Sequence, residues 1–153
     1  MRIRNVNLKD ETIFEIGKFT VLWSNFEKEK CDNDCSLPKL RNMGDVISKI
    51  SLDTLNRFAL TLQKRGEKLT TGNVGKYVAE GFHPDGTRTP LDSDAQESLR
   101  EFITSGGQES HIGALFAIYR IRNNMLHGLK ELVELDGQIE LFKAVNNVLE
   151  GIE

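Results

Sequence analysis

Ile118-Tyr119-Arg120-Ile121-Arg122-Asn123-Asn124-Met125-Leu126-His127-Gly128 is apolar at helical spacing, yet it carries arginines, two asparagines and a histidine. Gly128 follows at the position where a helix would stop. Together with Ile112, Leu115 and Phe116 upstream, the pattern predicts a helix from about Ser110 to His127. An apolar helix this central needs other helices around it, and the rest of the chain supplies them.

Upstream, Ser93 or Asp92 can cap a helix running to about Thr104, with Ala95, Leu99, Phe102 and Ile103 facing inward and Gly106-Gly107 breaking it. Downstream, Asp136-Gly137 reads as a turn before a last helix at about Gln138–Glu150. Nearer the start, Ile13, Ile16, Phe19, Val21, Leu22, Trp23 and Phe26 give a helix over about Glu11–Lys30 a broad apolar face. Asp, Asn and Pro signals in Cys31–Pro38 end it. A second helix is predicted over about Met43–Gln63, and Ser51-Leu52-Asp53 can restart it rather than continue it. Residues 1–10 are polar and read as extended or loosely ordered. Residues 64–92 are the least regular part: a short helix at about Asn73–Glu80, then a loop through Gly81–Pro90, where His83 and Arg88 could serve a ligand or simply be solvated.

No segment alternates with period two for long, and no repeat recurs at solenoid periods. The fold class is therefore all-α: an up-and-down bundle of four main helices with an irregular insertion around 64–92, in a single domain over 1–153. The 153 residues suffice to bury a core. No run of apolar residues is long enough to span a membrane, and the N-terminus has no apolar h-region, so a cytoplasmic protein is expected. The net charge of -3 argues against binding nucleic acid by bulk charge. Any such contact would be focused on the acid-free window holding Arg120, Arg122 and Lys130. Cys31 and Cys35 lack the second ligand pair a zinc site needs; a disulfide closing this small loop is open to them but unexpected in the cytosol, and free thiols flanking a polar turn are expected. His111 is expected at the surface.

The central stretch also has a chemistry. On an ideal helix Asn123 and His127 lie about 40° apart on one face. Arg122 and His127 lie about 140° apart and about 7.5 Å along the axis. That favours a composite site over an intrahelical pair. Histidine moves a proton near neutrality, arginine matches phosphate oxygens, and asparagine holds a hydroxyl or ring nitrogen. No acid cluster accompanies them, so a two-metal nuclease is not indicated. The set suits metal-free cleavage of RNA, whose 2′-hydroxyl is an internal nucleophile. A two-fold dimer would bring two histidines and two arginines to one cleft. A structural reading stays open beside this one, since a histidine at a helix C-terminus also interacts favourably with the helix dipole.

Tyr119-x-x-Arg122-Asn123-x-x-x-His127-Gly128 resembles the signature of the HEPN superfamily (higher eukaryotes and prokaryotes nucleotide-binding domains). The resemblance is specific over about ten residues and generic elsewhere. It implies a helical bundle, often a homodimer, with Arg122 and His127 as catalytic residues lining a cleft at the dimer interface and Asn123 as the supporting polar residue. It implies either a metal-independent endoribonuclease, used as a toxin, in phage defence or in RNA processing, or a non-catalytic module that binds a nucleotide, RNA or a protein. It also implies a possible nucleotidyltransferase antitoxin as partner, and no cofactor. Around the motif, Glu27 either orients Arg122 or His127 or sits solvated in its Glu-Lys-Glu-Lys run. Tyr119 either reaches the cleft with its hydroxyl or packs in the core. Trp23 is expected in the core or in dimer packing, and the Trp23–Phe26 face and the central helix are the expected dimer contacts.

Overall fold

The computed structural model describes residues 2–3, 6–70, 91–127 and 137–153, with side chains for all of these except 3, 6, 67–70 and 124–127. The described residues form an all-α bundle, preceded by a two-residue antiparallel ladder of β1 (Arg2–Ile3) and β2 (Val6–Asn7) in the register Arg2 to Asn7. The expected helix at 73–80, the 81–90 loop with His83 and Arg88, Asp136, and Gly128 with Lys130 lie outside the described residues.

Helix α1 (Asp10–Cys31) buries Phe19, Trp23 and Phe26 on one face. Asp10 and Glu11 in its first turn and Lys28 and Lys30 in its last complement the helix dipole. It ends on two consecutive left-handed residues, Asp32 (φ 52°) and Asn33 (φ 67°), whose N–H groups both donate to the Glu27 carbonyl. Asp and Asn tolerate that conformation better than most residues. The tight turn brings the Cys31 and Cys35 Cα atoms to 4.9 Å, and the two are joined in a disulfide. The expectation of free thiols is thereby corrected: backbone geometry, invisible in the spacing alone, turns the two sulfurs toward each other inside the core. Alkylation of the unfolded, unreduced protein should label neither cysteine, and reduction should expose two sites by mass spectrometry. Replacing both with serine should cost roughly 2 kcal/mol, the chain-entropy value for so short a loop.

Pro38 begins a helix rather than ending one. Helix α2 (Leu37–Arg41) carries it in the first turn, where a missing N–H is harmless, under a Ser36 cap that accepts from the Lys39 N–H. The stretch expected as one helix from Met43 is split into α3 (Gly44–Ile47) and α4 (Leu52–Thr70). Ser51 makes the break, its hydroxyl accepting from the Thr54 N–H at 3.2 Å. Helix α4 also runs on through residues 64–70, which the sequence pattern assigns to the irregular insertion.

Helix α5 (Ser93–Thr104) is capped by Asp92, which accepts from the Ala95 N–H at 3.0 Å, and it closes in a Schellman turn. The Gly107 N–H reaches the Phe102 carbonyl and the Gly106 N–H that of Ile103. From α4, Asn56 and Gln63 donate their amides to the carbonyls of Gly106 and Ile103. The Ala95 N–H bond, and beside it Arg41, hold the Asp92 carboxyl below its ordinary pKa. A carboxyl whose folded pKa is lowered stabilises fully above its unfolded value and loses that contribution as pH falls through the folded one. Asp92→Ala should therefore lower Tm at neutral pH, with the gap to wild type closing below about pH 4.

Helix α6 (Ile112–His127) and helix α7 (Ile139–Ile152) complete the bundle. Helix α7 lies between α1 and α4, with Phe19 of α1 edge-on to its Phe142. Lys18–Glu150 and Lys143–Glu11 ion pairs, and an Asn146 amide donating to Glu15, fasten α1 to α7. Helix α6 packs chiefly on α5 and also meets α2, α3 and α4. Residues 113–118 are buried without a break, the mark of a helix enclosed on all sides. No helix of the described residues is long and apolar enough to cross a membrane.

Candidate functional site

The site is built on the last turns of α6. The helix stays α-helical through His127, so the backbone keeps Asn123 and His127 on one face and Arg122 off it. The His127 side chain lies outside the described part. Arg122 is half-buried, and its Nη1 donates to the Asn123 Oδ1 at 2.9 Å. Asn123 is itself buried. One of the five donors on Arg122 is thus spent on fixing its plane; among the described residues no bond is seen for the other four.

Tyr119 is half-buried and packs against the hydrophobic core. Glu27 is half-buried on α1, whose main neighbour is α7. Among the described residues no hydrogen bond or ion pair joins Glu27 to Arg122. The structure therefore brings Arg122 and Asn123 together and leaves Glu27 and Tyr119 without a bond to either.

Three expectations are corrected. Arg120 is wholly buried, at 0% exposure, so it contributes nothing to a basic surface cleft. Phe116, Arg120 and Asn123 follow one another at four and three residues, one inward stripe of an enclosed helix. That spacing is the signal by which the sequence could have placed Arg120 inside. Trp23 and Phe26 are 5% and 4% exposed and stack at 5.3 Å within the chain's own core, so they are not available as dimer contacts. His111, expected at the surface, is half-buried, and its Nε2 is shielded without a hydrogen-bond partner.

A groove of about 200 Å³ opens between the C-terminal ends of α1 and α7, lined by Asn25, Phe26, Glu29, Lys30, Leu149 and Ile152. A hydrogen bond from Asn25 to Glu153 closes one side at 2.8 Å. No residue of the motif lines it, and it is smaller than typical ligand pockets. Comparison with protein-family models, curated proteins and solved structures finds no match for this chain.

Proposed function

We propose that the chain is a metal-independent endoribonuclease of the HEPN type, acting through Arg122 and His127 in a cleft shared across a homodimer. The observation that carries the proposal is the Arg122–Asn123 hydrogen bond, which orients a half-buried guanidinium near the end of the helix that carries His127. In the reaction, His127 takes the proton of the 2′-hydroxyl. The 2′-oxygen bonds to phosphorus as the bond to the 5′-oxygen breaks. The 5′-oxygen leaves with a proton from a second acid, which the other copy's His127 supplies. Arg122 stabilises the charge that gathers on the phosphorane oxygens. The products are a 2′,3′-cyclic phosphate and a 5′-hydroxyl.

The second reading is a HEPN module that binds RNA, a nucleotide or a protein without cutting. The net charge of -3 and the burial of Arg120 favour it, because both leave little positive surface for RNA. Incubation with RNA in EDTA separates the two: fragments ending in cyclic phosphate support the enzyme, and bound but intact RNA supports the module. Under the enzyme reading the biological setting is that of a toxin, a phage-defence factor or an RNA-processing enzyme. The proposed partner in the toxin case is a nucleotidyltransferase antitoxin. A cytoplasmic location is part of the proposal, and the Cys31–Cys35 disulfide weighs against it, since such bonds are uncommon in the cytosol.

A further inference from the structure

Cys31 is the last residue of α1, and Cys35 stands just before Ser36, the residue that caps α2. Helix α2 has five residues, too few to hold a helical shape alone. Ties to its neighbours keep it. Leu40 is buried in the core, Arg41 donates to the Asp92 carboxylate that caps α5, and the Lys39 Nζ donates to the Cys31 carbonyl at 2.9 Å. The disulfide is the covalent tie among them. The chief packing partner of α2 is α6, the helix of Arg122.

The two ends of the bond are not equivalent. Cys31 is 1% exposed, and its carbonyl also accepts from the Asp34 N–H at 3.1 Å. Cys35 is 9% exposed, and the three residues between them, Asp32, Asn33 and Asp34, are all exposed. A thiolate arriving from solvent therefore meets Cys35 first. Once the bond is cut, Cys31 stays anchored on α1, and the freedom falls on Cys35 and on α2 behind it. Both cysteines belong to a close-packed core, where replacing a bond by a non-bonded contact needs room.

We infer that Cys31–Cys35 is a redox latch: oxidised, it fixes α2 against α6, and reduced by a dithiol, it lets α2 shift and α6 with it. One thiolate of the dithiol attacks the Cys35 Sγ, the S–S bond breaks, and Cys31 leaves as a thiolate. The second thiolate of the reductant then attacks the mixed disulfide and releases Cys35. Two electrons pass to the protein, the reductant ends as a disulfide, and its two protons end on Cys31 and Cys35. The Lys39 ammonium, already bound at the Cys31 carbonyl, favours the departing thiolate. Disulfides of cytosolic proteins are mostly of this transient, redox-sensing kind, so a latch removes the objection that the bond raises to a cytoplasmic chain. The inference stands apart from the RNA-cleavage proposal: it concerns where α6 sits, whatever that helix does.

Amide NMR of the folded full chain before and after excess dithiothreitol tests it. Alkylation without denaturant should label both cysteines of the reduced sample by mass spectrometry. The amide signals of 36–41 should shift, and the shifts should extend into α6 at 112–123. Signals of 139–145, in the half of α7 that meets the start of α1, should keep their places. Oxidised glutathione should restore the first spectrum. Cys31→Ala combined with Cys35→Ala should give the reduced spectrum and no response to dithiothreitol. Reduced wild-type protein carries the test by itself if that variant fails to fold. A bond that stays closed in the folded chain under excess dithiothreitol, shifts confined to 31–36, or a reduced chain that unfolds as a whole overturns the inference. A latch that opens in a protein that leaves RNA intact upholds it while defeating the nuclease proposal.

Discussion

If the chain cuts RNA as proposed, His127→Ala should slow cleavage in EDTA by about 10²–10⁴-fold, the range for removing a positioned proton-transfer group. Arg122→Ala loses about 10²–10³-fold, the effect of removing one donor to developing charge. Arg122→Lys does not recover the loss. A lysine presents a point charge on a flexible stem, whereas the guanidinium plane is what Asn123 holds at 2.9 Å. Labelled RNA resolved on a gel gives the rates, and the end chemistry gives the mechanism. A substrate with a 2′-deoxy sugar at the cut site stays whole, because it lacks the nucleophile. Thermal melts run alongside separate chemistry from folding: Arg122 is only half-buried, so its truncation should move Tm little. Equal cutting by wild type and His127→Ala would defeat the nuclease proposal. Binding without cutting by all variants would move it to the non-catalytic module.

What the sequence makes readable follows from which forces act locally. Helices α5, α6 and α7 start and end close to where caps, glycines and the apolar period put them, because those signals act within a few residues. Helix α4 outruns its apolar pattern into Lys64, Arg65, Glu67 and Lys68, which are good helix formers with no core face to announce them. Pro38 is ambiguous in principle, since proline both follows and opens helices, and only the Ser36 cap decides it. The disulfide depends on two left-handed residues that the four-residue spacing does not reveal. Around the motif, spacing separates Arg122 from His127 on the helix and sets Arg120 in line with Phe116 and Asn123, but that stripe reads as inward only once α6 is known to be enclosed. Arg120 goes inward because α6 is enclosed, a property of the other helices rather than of its own stretch. Val21 goes outward for the converse reason: among the described residues α1 packs chiefly on α7, and Val21 lies off that face.

Gly113→Ala should be strongly damaging for a single added methyl, because it acts on the seat of the motif helix. Gly113 is the second residue of α6 and lies against α5. A Cβ there would stand 2.6 Å from the Ser98 carbonyl oxygen, 2.8 Å from the Phe102 Cβ and 3.0 Å from the Leu99 Cα. Two of these three are backbone atoms of a regular helix and have no rotamer to retreat into, so the clash is relieved only by moving α6 off α5. Overpacking costs about 1–3 kcal/mol, and a contact with backbone belongs at the upper end. At about 3 kcal/mol, a chain of this size should lose roughly 6–12 °C in Tm. Urea melts should show a lower midpoint with an unchanged m-value. Gly17→Ala supplies the control: the same methyl in open space should raise monomer stability by up to about 1 kcal/mol. The opposite signs separate a glycine required by a helix crossing from one that no described residue requires. Arg122 and His127 lie further along the same helix. If Gly113→Ala is assayed on RNA well below its lowered Tm, a shifted α6 should show as reduced cleavage by a protein that is still folded. Full wild-type cleavage there would mean that the position of α6 on α5 does not set the site.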